Sequence, residues 1–167
     1  MQDSAVEPWL RGPIGGIQPL LMPLFFSFAQ VREDIRTHTA DLTDQHVWTK
    51  IGNNPPLGFH IRHIGGSIDR LLTYLEGGTL TAEQLLFLRR EAEPGTGLPE
   101  LIRELEEGLS HAEERLRRLA LPDLFAPRYI GRKRLEVRAL GLLIHIAEHT
   151  QRHLGQAITI AKAVRNQ

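Results

Sequence analysis

The chain has 167 residues, with twenty basic and twenty acidic side chains and no cysteine. This length favours one domain with a substantial core, and the zero net charge gives no reason to expect a nucleic-acid partner. Without cysteine, disulfides, thiolate metal ligands and a cysteine nucleophile are excluded. No apolar run approaches the roughly 20 residues that cross a bilayer, and no signal peptide is recognisable. We therefore expect a cytoplasmic protein without a membrane partner.

The first third of the chain predicts an irregular arm followed by a helix and a loop. Residues 1–18 contain closely spaced prolines and glycines, so we expect an arm there, anchored through Trp9 and Leu10, ahead of a domain that spans 19–167. A loop is predicted over 43–56. The first helix is predicted from about Pro19 to Thr39, with an apolar face made of Leu24, Phe28, Val31 and Ile35.

A second helix is predicted from Leu57 to Leu75, and it contains two adjacent glycines, Gly65 and Gly66. Each mid-helix glycine costs about 1 kcal/mol relative to alanine. We therefore expect another helix backbone to pack closely against this point.

The second half of the chain predicts three further helices and no strands. A short helix from about Thr79 to Glu91 precedes a long amphipathic helix from Leu98 to Leu119, a second loop over 122–131 and a final helix from about Leu135 to Val164. Together these elements predict an all-α protein, an up-down four-helix bundle with one extra short helix and the irregular N-terminal arm.

Five of the eight histidines fall into two helical clusters. His145, His149 and His153 recur every fourth residue and so lie on one side of the final helix, in the same stripe as core-type leucine and isoleucine. His60 and His63 lie on the second helix. Clustering on faces expected to be buried favours a metal site over isolated core histidines. Nitrogen and oxygen ligands of this kind suit Zn, Ni, Fe or Mn, and about three protein ligands are expected.

A different metal motif overlaps the final histidines. His145, Glu148 and His149 match the H-x-x-E-H pattern of inverted zincins. The pattern is short, and no acidic residue follows Glu148 that would serve as a further ligand. A peptidase is therefore the less favoured hypothesis.

The histidine-bearing segments of this chain resemble those of the DinB-like (YfiT-like) proteins, a family of metal-binding four-helix bundles. The resemblance rests on an early helix with His60 and His63 and on a final helix with H-x-x-x-H followed by x-G-Q. In this chain the final motif is His149-Thr150-Gln151-Arg152-His153-Leu154-Gly155-Gln156. Carried over by position, the resemblance implies His63, His149 and His153 as metal ligands, with His60 as the alternative on the second helix.

The resemblance also implies a function. Members of this family are thought to bind Zn, Ni or a similar divalent ion, and some relatives are transferases that use a low-molecular-weight thiol. We therefore expect a metal-dependent enzyme, a thiol S-transferase or a hydrolase, that has a small-molecule substrate and acts as a homodimer. The alternative is a non-catalytic helical bundle that is stabilised by metal or binds a ligand. Further contacts to the ligands or the substrate are expected from His60, His145, Gln156, Arg70 and Arg152.

Overall fold

The computed structural model describes residues 6–120 and 123–166. The first five residues of the predicted arm, the start of the second predicted loop at Pro122 and the terminal Gln167 therefore lie outside the described residues. Within them the chain forms helices and one hairpin in the order α1 (Met22–Thr39), α2 (Asp44–Trp48), α3 (Leu57–Leu75), α4 (Ala82–Arg90), α5 (Leu98–Arg118), β1 (Pro127–Ile130), β2 (Leu135–Arg138) and α6 (Ala139–Val164).

Four long helices, α1, α3, α5 and α6, form a bundle, which confirms the predicted all-α class. α1 and α3 each pack against both α5 and α6, so α1 and α3 occupy opposite corners. The chain must therefore cross the end of the bundle twice, between α1 and α3 and between α5 and α6. The first crossing contains α2, and the second contains the hairpin of β1 and β2. No helix among the described residues is both long and apolar enough to span a membrane.

The core is filled by the helix faces that the sequence periodicity predicted. Phe28 and Ile35 of α1 and Ile61 and Ile64 of α3 belong to one hydrophobic core, and all four are at most 2% exposed. α3 begins and ends at the predicted residues, and α5 ends one residue before the predicted end. α1 begins later than predicted, because Pro19–Leu21 forms a 3-10 turn.

The predicted loop over 43–56 contains a short helix, which the sequence analysis missed. α2 begins with a capping box in which Thr43 and His46 exchange side-chain and backbone hydrogen bonds. Its first residue, Asp44, accepts a hydrogen bond from the backbone N–H of Leu98 at 2.7 Å. The loop is thereby tied to the first turn of α5.

The absence of strands was also predicted wrongly. Residues 127–130 and 135–138 form an antiparallel hairpin in which Arg128 pairs with Val137 and Ile130 with Leu135. The final helix consequently begins at Ala139 rather than at Leu135, because residues 135–138 pair with β1. Two strands of four residues are too short for polar and apolar alternation to stand out in a sequence.

The N-terminal arm is anchored differently from the prediction. Trp9 and Leu10, the expected anchors, are 60% and 55% exposed. Instead Pro8 and Ile17 are buried, and the guanidinium of Arg11 binds both carboxylate oxygens of Glu33 on α1 at 2.5 and 2.7 Å. A bidentate ion pair of this kind fixes the direction of the arm as well as its position.

The adjacent glycines of α3 make room for two different neighbours. Gly65 faces Gly108 of α5, and a Cβ atom added at position 108 would lie 3.8 Å from the Cα atom of Gly65. The two helix backbones therefore approach closely here, as predicted. Gly66 instead faces side chains: an added Cβ would lie 2.5 Å from the Glu91 Oε1 atom and 2.8 Å from the Arg70 Nη1 atom. A side chain at position 66 would therefore displace a carboxylate that is only 2% exposed.

We expect Gly66→Ala to be less stable than Gly65→Ala by at least about 1 kcal/mol. Both substitutions gain helix propensity, but only the Cβ at position 66 overlaps buried side chains, and such overpacking costs roughly 1–3 kcal/mol. Urea denaturation of the two variants and the parent protein measures the difference. Equal stabilities would show that Glu91 relocates without cost.

Candidate metal centre

Three histidines from α3 and α6 converge near the centre of the bundle. The two helices run antiparallel, so that His63 lies beside His149 while His60, one turn earlier, lies beside His153. One nitrogen from each of His63, His149 and His153 lies within 4.8 Å of the others. The closest approach is 3.0 Å, between the Nε2 atoms of His63 and His149.

These distances fit nitrogen ligands of a single metal ion. Two nitrogens bound at the usual 2.0–2.1 Å to one tetrahedral zinc ion lie about 3.4 Å apart. The Nδ1 atom of His149 is buried and has no hydrogen-bond partner among the described residues. The nitrogen of His149 that faces His63 is Nε2, so the fit to a cation rests on the spacing of the three ring nitrogens.

His63 is held by a carboxylate that the sequence analysis did not identify. Glu91, the residue that follows α4, places its Oε2 atom 2.7 Å from the Nδ1 atom of His63. Its other oxygen, Oε1, accepts a hydrogen bond from Arg70 Nη1 at 2.7 Å, and both side chains are buried. With its Nδ1 atom engaged by Glu91, His63 presents Nε2 to the other histidines, which is the usual carboxylate–histidine support of a metal ligand.

Glu91 left only a weak signal in the sequence. Glu91 lies at the end of the predicted short helix, directly after Arg89 and Arg90. A carboxylate is unfavourable near a helix C-terminus, so its position there is a local anomaly. The glycine at 66 was the second signal, because it marked a space that some side chain had to fill. Neither signal identifies His63 as the partner.

His60 contacts the cluster without belonging to the group of three. Its ring is 2% exposed, and its Nδ1 atom lies 3.2 Å from the Nδ1 atom of His153. Phe59 stacks on His63 with ring centroids 5.1 Å apart and covers that side of the cluster. The position of His60 beside His153 suits a residue that orients the His153 ring.

The environment keeps the imidazoles neutral. Burial, together with the adjacent His153 and His63, lowers the pKa of His149 to about 4. Burial, His63 and Arg152 likewise lower the pKa of His153 to about 4, with an opposing contribution from Glu91. Burial and the adjacent His153 and His63 lower the pKa of His60 to about 4. Near pH 7 these rings thus hold lone pairs available to a cation.

The remaining predicted site residues lie around the cluster. His145 is 43% exposed and pairs with Glu148 at 2.7 Å, so two of the three residues of the zincin-like pattern bind each other. Arg152 also pairs with Glu148, and Arg70 is already engaged by Glu91. Gln156 is exposed, one turn beyond His153 and level with the first turn of α3.

Comparison with known proteins gave one finding. A family model described as the DinB superfamily matches residues 27–157, which is most of the chain and includes both histidine-bearing helices. A search of the curated proteins found no match.

We expect the metal-free protein to lose stability as the pH falls from 7 to 5. In the unfolded chain histidine has a pKa near 6.5, whereas folding lowers the pKa of His60 to about 4. Between these values the unfolded chain binds protons that the folded chain does not, so acid favours unfolding, and above pH 6.5 the effect is absent.

Urea denaturation of chelator-treated protein measures this dependence. The free energy of unfolding is expected to fall by about 1–2 kcal/mol over these two pH units. His60→Asn is expected to reduce the dependence, while His111→Gln, a change at an exposed position on α5, leaves it unchanged. A stability that is flat between pH 7 and pH 5 would contradict neutral, buried imidazoles.

Proposed function

This chain belongs to the DinB superfamily, as the sequence resemblance implied, and from that membership and the three converging histidines we propose a divalent-metal-binding protein with a catalytic site. His63, His149 and His153 are the proposed ligands, and Zn or Ni is the proposed ion. The observation that carries this proposal is the group of three ring nitrogens within 4.8 Å of one another, drawn from two helices.

The make-up of the ligand group supports a catalytic rather than a purely structural ion. Among the described residues the group contains three imidazoles and no fourth member. Structural zinc sites usually have four protein ligands, whereas catalytic sites have three and leave one position open. All three residues are only partly buried, which supports access of a small molecule to the cluster.

The activity we propose is transfer of a low-molecular-weight thiol to an electrophilic small molecule. When bound, a divalent cation supplies positive charge that lowers the pKa of a water or thiol ligand. The chain has no cysteine, so the thiol must come from a cosubstrate. In the overall reaction its sulfur forms a bond to the electrophilic carbon, the leaving group departs with the bonding electron pair, and the thiol proton passes to solvent.

Buried residues around the histidines hold the proposed metal ligands in position. Glu91 and Arg70 hold His63 from one side, and His60 contacts His153 from another. Because these supports are buried, the proposed ligands are positioned before a substrate arrives, which lowers the entropic cost of reaching a reactive geometry.

The alternative is a non-catalytic bundle in which the ion joins α3 to α6. A structural ion is expected to raise the melting temperature strongly, since it binds the folded state alone. A catalytic ion at an open position is expected to restore turnover when it is added back. Incubating the protein with a panel of small thiols and 1-chloro-2,4-dinitrobenzene, before and after chelation, distinguishes these functions.

We expect near-stoichiometric metal in the purified protein, measured by elemental mass spectrometry after loading with Zn or Ni. His63→Ala, His149→Ala and His153→Ala should each lose it, and His111→Ala serves as the exposed control. His60→Ala decides which histidine of α3 is the ligand: retention of metal with weakened affinity assigns His60 a supporting role. No metal in the parent protein after loading would refute the site.

We expect Glu91→Gln to weaken metal binding by about 10–100-fold, the usual effect of removing a carboxylate that supports a histidine ligand. Glu148→Gln, which removes a carboxylate that binds His145 and Arg152 instead, is the matched control. Competition with a chromogenic chelator measures both affinities. Since Glu91→Gln also leaves Arg70 without its buried partner, urea denaturation is needed to show that the variant is folded at the assay temperature.

A further inference from the structure

A groove of about 900 Å³ lies along the opposite side of α6 from the histidines. At 100° per residue, Ala147 is about 160° around the helix from His149, so the groove and the metal centre are on different faces. The walls come from α1, α6 and the N-terminal arm. Most of the wall side chains are apolar, among them Trp9, Leu20, Pro23, Phe26, Ile144 and Ala147.

The arm holds an exposed indole at the edge of this groove. Arg11 binds Glu33 through two contacts and donates a further hydrogen bond to the carbonyl of Val6 at 2.7 Å, which fixes the segment before and after Trp9. The Nε1 atom of Trp9 donates to Glu7 at 2.6 Å. Trp9 is nevertheless 60% exposed, and Ile144 across the groove is 61% exposed. These apolar groups are thus positioned by the fold and left in contact with water.

The charged groups that line the groove are all acidic. Glu7, Asp34 and Glu148 contribute to its wall, and none of the described lysines, arginines or histidines does. Glu148 is already paired with Arg152. Asp34 accepts a hydrogen bond at 2.9 Å from Gln30, which is a neutral partner.

Cations near the groove are engaged elsewhere. Arg32 pairs with Glu106 and Glu113 of α5, and Arg36 pairs with Glu106. The groove therefore presents an apolar floor, an accessible aromatic ring and carboxylates at its edge.

We propose that this groove binds an amphiphilic organic cation, a molecule with an apolar chain and an ammonium head group. Its volume falls within the range of small-molecule sites, about 300–1,000 Å³. The apolar walls suit the chain, while the Trp9 ring and the carboxylates of Glu7 and Asp34 suit the head group. The site is independent of the metal proposal, and its arm residues lie outside the 27–157 segment that matches the family model.

The probe is octyltrimethylammonium, used below its micelle concentration on the full-length protein and followed by calorimetry and by tryptophan emission. We expect saturable one-to-one binding that is at least tenfold tighter than that of octyl sulfate, which has the same chain and an anionic head group. Tetramethylammonium, which lacks the chain, should bind more weakly than either. Trp9→Phe should abolish the change in emission and weaken, without eliminating, the binding measured by calorimetry.

Substitutions locate the site. Ala147→Trp fills the groove and should weaken binding at least tenfold, and Ile144→Asn, at an exposed position, should weaken it without disturbing the core. The double variant Glu7→Gln and Asp34→Asn should reduce the ratio of the affinity for octyltrimethylammonium to that for octyl sulfate. Glu114→Gln, at an exposed position on α5 away from the groove, should leave this ratio unchanged.

Three results would overturn the proposal. The first is that octyl sulfate binds as tightly as the cation. The second is that Ala147→Trp and Ile144→Asn leave the affinity unchanged. The third is that the groove is closed in solution by self-association. Sedimentation that shows self-association lost in Ile144→Asn would assign the groove to a second copy of the chain instead.

Discussion

A single buried carboxylate connects the bundle to its candidate site. Glu91 binds His63 with one oxygen and Arg70 with the other. It comes from the end of a short helix outside the four-helix core, and it reaches α3 only because position 66 has no side chain. Isolated charges are costly to bury, and this one is stabilised by a cation and a ring N–H together. The orientation of His63, and with it the centre of the histidine cluster, depends on that arrangement.

The connections between the long helices determine what surrounds this site. The connection from α1 to α3 contains α2, whose Asp44 binds the start of α5. Arg62, on the same helix as the histidines, donates hydrogen bonds to the 90–96 segment that contains Glu91, including one to the carbonyl of Glu93 at 3.1 Å. Segments that the sequence predicts as loops are therefore bound to the helices, and this restraint keeps the Glu91 carboxylate in place.

The sequence predicted what depends on helical periodicity. The long helices and their core faces follow from residues repeated every three or four positions, whereas the convergence of α3 with α6 at one site was implied by the family resemblance. Glu91 could not be predicted, because its partner is 28 residues away and no periodic pattern links the two. The hairpin was missed because its strands have four residues each, and the arm was misjudged because an ion pair from Arg11, rather than its aromatic side chain, anchors it. The identity of the ligands remains a prediction from resemblance and geometry.

The hairpin between α5 and α6 gives the molecule a polarity that its overall charge conceals. Residues 127–138 contain five arginines and lysines and one glutamate, so the rest of a chain with no net charge carries an excess of four acidic groups. The turn residues 132–134 are all cationic and exposed. A locally basic segment on a neutral molecule orients it toward a negatively charged surface in a low-salt medium, before contact is made. On a cation-exchange column the hairpin should consequently be the part that binds, at a pH where the net charge alone predicts no retention.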